Sequence, residues 1–368
     1  MRFVIAAGGT GGHLFPGLAV GEVLLARGHE VILLISEKEI DAVATQGRNE
    51  FQIEKLAGIG MPRLFSPAIA GFAFRFWKGL RRCKALFREW QPAAVLGMGG
   101  FTSSAPILAG RSRKVPTFLH ESNAVPGRAN RFNAKYVTEV LLGFEECRRH
   151  FPNARCEVTG TPIRAALLHP VAKLAALTKF GLQPGRTTLL IMGGSQGARA
   201  INTAVGNALP KLKHLSWQAI HLAGAQDESA TRAAYAREAV PASVAAFQHR
   251  MDEAYSASDF AIARSGAASL TELSHFGLPA ILIPYPFAAD DHQTANARIF
   301  EAAGAAVLLK EGDATPEGLA GKIAPFIQEP AWRAEMSQRS RQLAPADAAG
   351  RVADVLLRSC KPDPRSVP

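Results

Sequence analysis

The chain is poor in cysteine, in long apolar runs and in acidic residues. Its four cysteines, Cys83, Cys147, Cys156 and Cys360, form no C-x-x-C pair and no metal-ligand spacing. That argues against a disulfide-framed secreted fold and a structural zinc site, and it fits a reduced, cytoplasmic setting. No uninterrupted apolar run approaches the ~20 residues of a spanning helix, and the apolar stretch after Arg2 is too short for a signal-peptide core. A soluble or peripheral protein is expected. The acidic shortfall, 31 Asp+Glu against 42 Lys+Arg, gives a formal charge of +11. It is lopsided: residues 1–163 hold 21 basic and 13 acidic side chains, and residues 164–368 hold 21 and 18. A basic N-terminal half suits an anionic partner such as a membrane surface, a phosphorylated substrate or nucleic acid. No recognised nucleic-acid motif accompanies the charge, so nucleic acid is not expected.

What remains is ordinary globular composition, 48% hydrophobic and 20% charged over 368 residues, a length that favours two domains. Strand-like runs at Phe3 to Ala7, Val31 to Ile35, Ala94 to Leu96 and Thr117 to Leu119 alternate with helix-like stretches such as Pro16 to Ala26 and Arg75 to Trp90. This alternation predicts an α/β parallel sheet. The pattern breaks at Thr159-Gly160-Thr161-Pro162 and restarts with strands at Thr188 to Met192, Gln218 to Leu222, Phe260 to Ala263 and Ala280 to Pro284. Two domains are expected, 1–163 and 164–340, with a C-terminal helix over 345–360 joining the first. Lys361 to Pro368 reads as a frayed tail.

Glycine-rich turns follow three of these strands: Gly8-Gly9-Thr10-Gly11-Gly12-His13, Gly97-Met98-Gly99-Gly100 and Gly193-Gly194-Ser195-Gln196-Gly197. Such a turn leaves backbone N–H groups unpaired at the start of a helix, where the dipole favours negative charge, and so makes a seat for phosphate. A dinucleotide fingerprint fits less well, because Leu14 stands where the third glycine belongs, although Glu37 could serve as the ribose acid.

With His120-Glu121-Ser122-Asn123, Arg264-Ser265-Gly266-Ala267 and Glu272, and Asp291-His292-Gln293 and Asn296, the three loops resemble the MurG family, in that family's order and over roughly residues 3–300. The resemblance implies a GT-B fold of two Rossmann-like parallel-sheet domains facing a deep cleft. It also implies an inverting glycosyltransferase, which moves N-acetylglucosamine from UDP-N-acetylglucosamine to the 4-hydroxyl of the muramyl sugar of lipid I and so makes lipid II for peptidoglycan. No cofactor or metal is implied. The implied partners are the two substrates, an anionic membrane surface met by the N-terminal domain, and other cell-wall synthesis proteins. The implied location is peripheral, on the cytoplasmic face of the bacterial cell membrane. Another GT-B enzyme on UDP-sugars, an epimerase or a natural-product glycosyltransferase, is the alternative.

The chemistry needs a base for the acceptor hydroxyl and groups that carry the charge growing on departing UDP. The resemblance implies His13 as base, with Thr10, Gly11, Gly12 and Asn123 on the acceptor side; a lone histidine is otherwise more often structural. The Ser195-Gln196-Gly197 turn and Arg164 would meet the diphosphate, Arg164 reading equally as an interdomain ion pair. Glu272 would take the ribose hydroxyls, or else simply complement a helix dipole. Backbone from Ala267 through Ala268, Ser269 and Leu270 to Thr271, with the Gln293 side chain, would contact the donor; Gln293 could otherwise be a surface helix residue. Gln248 would meet uracil through its backbone. His249 and Arg250 depart from the family's acidic pattern, which leaves the local charge open. Ser122 and Thr161 also replace the family's usual residues.

Phe76, Leu80, Cys83, Phe87 and Trp90 form one apolar stripe on a helix, beside Arg81, Lys84 and Arg88. The stripe suits packing on a core, whereas Phe72, Phe74, Arg75, Trp77 and Lys78 suit a lipid headgroup interface.

Overall fold

The computed structural model describes residues 1–8, 11–37, 48–56, 68–194 and 198–360. Two compact units divide the chain, Met1–Ala165 with Ala346–Pro368, and Ala166–Pro345.

In the first unit, β1 (Arg2–Ala6), β2 (Glu30–Ser36), β3 (Gln52–Leu56), β4 (Ala94–Gly97), β5 (Thr117–Glu121), β6 (Glu139–Leu142) and β7 (Cys156–Val158) form one parallel sheet in the order β3-β2-β1-β4-β5-β6-β7. In the second unit, β8 (Thr187–Met192), β9 (Trp217–Leu222), β10 (Ala242–Ala245), β11 (Phe260–Ala263), β12 (Ala280–Leu282) and β13 (Ala306–Leu308) lie in the order β10-β9-β8-β11-β12-β13. Both are doubly wound sheets whose strand order reverses beside the first strand, and ligands of such sheets bind outside the carboxyl ends at that reversal. The two reversals are β1 against β4, with Ala6 opposite Gly97, and β8 against β11, with Met192 opposite Ala263. A glycine-rich turn therefore follows each strand bordering the first reversal, and one follows β8 at the second.

The strands are apolar on both faces because helices cover both. One side of the first sheet packs Phe3, Ile5 and Leu33 against Leu14, Leu18 and Leu24 of the helix Gly11–Ala26 and against Val352, Val355 and Leu356 of the helix Ala348–Ser359. Arg27 pairs with Asp354 at 2.6 Å and Arg358 with Glu157 at 2.6 Å, both within this unit. The other side packs Val4, Ile32 and Val95 against Cys83 and Phe87 of the helix Ala68–Trp90. The second sheet buries Leu189, Ile191, Phe260 and Ile262 against Val205, Leu209, Ile323 and Phe326.

Helix starts differ from those expected. Proline favours the first helical position, which points to Pro16, yet the helix runs from Gly11 with Pro16 inside. Packing wins over that preference: a Cβ at Gly17 would lie 2.4 Å from the Ala7 Cβ, and one at Gly21 2.6 Å from the Phe51 ring, so the helix is pressed onto the sheet. The helix expected from Arg75 begins at Ala68, and the one expected from Pro345 begins at Ala348, where the Asp347 carboxylate accepts from the Gly350 amide at 2.9 Å. No helix of the described residues is long and apolar enough to cross a membrane.

Candidate functional site

At the reversal of the first sheet, His13 sits in the first turn of its helix, beside the turn that follows β4. Gly99 has φ +117°, and a Cβ there would lie 2.8 Å from His13 Nε2; one at Gly100 would lie 3.6 Å from His13 Cε1. Both glycines leave room for the imidazole, and the Ser103 hydroxyl fixes the turn by donating to the Gly99 carbonyl at 2.8 Å. Gly11 lies against the Phe15 ring, where a Cβ would stand at 3.2 Å. Gly12 is exposed, in the same helical turn as His13.

Behind His13 lies a buried pair. The His120 Nε2 is 2.9 Å from the Gly160 carbonyl and so carries the proton, while Nδ1 accepts from the Ser122 hydroxyl at 3.2 Å. Burial, with a smaller contribution from the His13 imidazole, pushes the His120 pKa down to about 4, so this ring is neutral. Ser122 thus supplies the hydroxyl that fixes the tautomer. The Glu121 carboxylate accepts from the Asn123 amide at 2.9 Å, Asn123 Nδ2 at 3.0 Å, the Gly127 amide at 3.3 Å and Asn130 Nδ2 at 2.8 Å. Burial raises its pKa against the lowering effect of those bonds. Glu121 therefore holds the loop that carries Asn123. Arg164 falls in this first unit, its guanidinium carbon 4.5 Å from the centre of the Phe15 ring. This cation–π contact links it to the His13 helix.

At the reversal of the second sheet a pocket of about 460 Å³ is lined by Gly193, Gly194, Arg199, Arg264, Gly266, Ser269, Tyr285, Gln293 and Glu311, among others. Two helices begin at it, Arg199–Leu212 and Ala267–Phe276. Their first-turn amides have no acceptor within the helix, so they suit an anion. In the second helix the Leu270 amide already donates to the Gly266 carbonyl at 3.0 Å, and the Thr271 hydroxyl to the Ala267 carbonyl at 2.9 Å. That leaves Ala267, Ala268 and Ser269 as the open backbone donors of the expected stretch. Two consecutive left-handed residues, Asp290 (φ 52°) and Asp291 (φ 50°), turn the chain into the helix that carries Gln293. Gln293 Oε1 accepts from the Tyr285 amide at 2.9 Å, which aims its NH2 group away from that bond.

Glu272, half-buried, accepts from the Tyr255 hydroxyl at 2.6 Å. The Gln248 side chain accepts from the Arg250 amide at 3.3 Å and so braces its own loop. Arg250 makes a two-pronged pair with Asp252 at 3.0 and 2.7 Å, and this pairing compensates the charge left open by the sequence. Thr10, Ser195 and Gln196 lie outside the described residues. No group of three or more His, Cys, Asp or Glu among the described residues is placed to hold a metal.

Sequence reading overlooked part of the pocket. Arg264, though noticed in its motif, was not expected as a lining residue, and its partner Glu311 stands 47 positions later in a stretch without a motif. Arg199 stands two positions after a recognised turn, and its charge at a helix start is the available signal.

Comparisons with known proteins agree with this arrangement. Residues 3–142 match the glycosyltransferase family 28 N-terminal domain and residues 188–352 its C-terminal domain. The UDP-N-acetylglucosamine--N-acetylmuramyl-(pentapeptide) pyrophosphoryl-undecaprenol N-acetylglucosamine transferase of Geobacter sulfurreducens is 36% identical over 98% of this chain and 99% of its own. The transferase of that name from Xanthomonas campestris is 38% identical over 96% of this chain and 81% of its own. Among solved structures, Acinetobacter baumannii MurG superposes with a TM-score of 0.78 at 29% identity, covering 97% of this chain and 99% of that one. The UDP-GlcNAc 2-epimerase of Neisseria meningitidis, at 13% identity and a TM-score of 0.67 over 97% of this chain and all of that one, shares the fold alone. With two doubly wound units and near-full-length likeness to these transferases, the chain belongs to the MurG family of GT-B glycosyltransferases.

Proposed function

We infer that this protein transfers N-acetylglucosamine from UDP-N-acetylglucosamine to the muramyl 4-hydroxyl of lipid I, forming lipid II. One observation carries the reading: near-full-length identity of 34–38% to transferases named for this reaction. The hydroxyl oxygen attacks the anomeric carbon from the face opposite UDP, inverting it, while the bond to the phosphate oxygen breaks. His13 takes the hydroxyl proton. Its seat against Gly99 and Gly100, beside a neutral His120, supports that role, since a charged neighbour would disfavour an imidazolium. Asn123, held by Glu121, orients the acceptor together with Thr10, Gly11 and Gly12.

The second unit takes the donor. The open amides of Ala267, Ala268 and Ser269, the Gln293 NH2 group and the pocket at the start of two helices support this assignment. Glu272, oriented by Tyr255, accepts from the ribose hydroxyls. Gln248 presents its backbone to uracil, and Ser195 and Gln196 meet the diphosphate. Arg164, its guanidinium over the Phe15 ring, supplies positive charge to the diphosphate.

The first unit also meets an anionic membrane surface, on its cytoplasmic side. Two observations support this. The stripe from Phe76 to Trp90 is used by the core, whereas Phe74 and Trp77 are 64% and 50% exposed, with Arg81 4.8 Å over the Trp77 ring. An aromatic pair flanked by exposed Arg75 and Lys78 suits a headgroup interface.

The test is incubation with UDP-N-acetylglucosamine and a lipid I analogue. UDP and the disaccharide product are expected. UDP release that does not need the acceptor would point to an epimerase and overturn the reading.

A further inference from the structure

Departing UDP carries growing negative charge, and two arginines are among the residues that line the pocket of the second unit, Arg199 and Arg264. They are not equivalent. The Arg264 side chain is only 11% exposed; Nη1 donates to the carbonyls of Ile283 and Pro284 at 3.0 Å each, and Nη2 to Glu311 at 2.5 Å. Its charge is paired and its fork is committed to holding the loop after β12. The Arg199 side chain is 73% exposed and touches Asp227 through Nε alone, at 3.3 Å. Both of its Nη atoms are without a protein partner among the described residues.

Asp227, by contrast, is fixed. Its second oxygen accepts from Asn202 Nδ2 at 3.0 Å, and the same Nδ2 donates to the Ala223 carbonyl at 2.8 Å. Asn202 Oδ1 is bonded to His221 Nε2 at 2.9 Å, and His221 Nδ1 to the Tyr235 hydroxyl at 3.2 Å. His221 is fully buried, and burial holds its pKa down at about 3, so the chain from Tyr235 to Asp227 is neutral until it reaches the carboxylate. A buried network thus ends in one carboxylate, and that carboxylate holds an exposed arginine by a single bond beside the pocket.

We propose that Arg199 is the pocket's available cation for the donor: it leaves Asp227 and pairs both Nη atoms with the β-phosphate of the nucleoside diphosphate, and Asp227 sets its resting position. The bidentate geometry of guanidinium and phosphate suits this role, and a lysine at this position would keep the charge but lose the fork. The proposal rests on the donor reading of this pocket and deepens it.

Binding of UDP and UMP to the full chain tests it by calorimetry, using wild type, Arg199→Gln, Arg199→Lys and Asp227→Asn. Losing a charge-assisted contact to phosphate should weaken UDP about tenfold to a hundredfold in Arg199→Gln. UMP, lacking the β-phosphate, should bind as it does to wild type. Arg199→Lys should recover part of the UDP affinity, and Asp227→Asn, which releases the arginine, should bind UDP at least as tightly as wild type. Because Arg199 is largely exposed, its variants should keep the wild-type melting temperature. Unchanged UDP affinity in Arg199→Gln, or equal losses for UDP and UMP, overturns the assignment. A wild type that fails to bind UDP would instead overturn the donor reading itself.

Discussion

The two units share a strand order but equip their reversal points in opposite ways. The first surrounds one half-exposed imidazole, His13, with buried, fully committed polar groups: a neutral His120, a Glu121 carboxylate with four bonds, and glycines cut to the shape of the ring. The second keeps a polar pocket open, with helix-start amides, the Gln293 amide and the Arg199 fork available. The contrast follows from the chemistry each would perform. Moving a proton needs one group in one place, so the first unit spends its polar atoms on orientation. Holding a diphosphate needs several donors at once, so the second leaves them unpaired.

The largest effect expected from breaking this contrast is at His13. His13→Ala should lower kcat by about 10²- to 10⁴-fold while UDP binding stays as in wild type. Near-normal turnover in that variant would make His13 structural and turn attention to Glu121.

Acid comes next, because each unit buries one neutral histidine. Burial lowers His120 to about 4 and His221 to about 3, from an ordinary value of 6.5. Below pH 6.5 the unfolded chain takes up these protons first. Stability is therefore full above that pH and falls as pH drops toward each folded value, by about 1.4 kcal/mol per pH unit for each histidine. The His120 contribution is exhausted near pH 4, and that of His221 continues to about 3. Chemical denaturation between pH 7 and 5 should show the slope, and His120→Gln and His221→Gln should each flatten it. Unchanged slopes in both variants would exclude the buried rings as its source.

Glu272→Ala should cost about 1.5–3 kcal/mol in donor use, roughly tenfold to a hundredfold in kcat/KM for UDP-N-acetylglucosamine. Tyr255→Phe, which removes the 2.6 Å bond to that carboxylate, should produce a smaller loss in the same direction. An undisturbed donor KM and kcat in both would remove Glu272 from the site.

The smallest effect is at the membrane face. Wild type should sediment with anionic vesicles and come off with salt, since each well-placed cation contributes about 1 kcal/mol. Phe74→Ser combined with Trp77→Ser should reduce sedimentation and leave activity on a water-soluble acceptor intact. Equal sedimentation would exclude this surface.

Much of this was legible because parallel strands buried on both faces read as short apolar runs, and glycine turns mark their carboxyl ends. β1, β4 and β8 each run into such a turn, so the loops at the reversals could be identified from spacing alone. Contacts that join distant positions were not legible. Nothing local to Arg164 signals that it stacks on Phe15, and nothing near Glu311 announces Arg264. Pro16 misled because a local preference yielded to the close approach of Gly17 and Gly21 to the sheet. Arg250 leaves the local charge open in the sequence because its counter-ion, Asp252, lies beyond Met251, outside the compared segment.

The helix Ala348–Ser359 belongs to the first unit although the whole second unit precedes it in the chain. During synthesis, the second unit is complete and free to fold while the first still lacks a wall. Leu14 and Leu18, which Val352 and Leu356 help to bury, stay without that cover until the last described helix leaves the ribosome. Of the two units, the one begun first is thus finished last, and until then its nascent apolar face is open to chaperones and to aggregation.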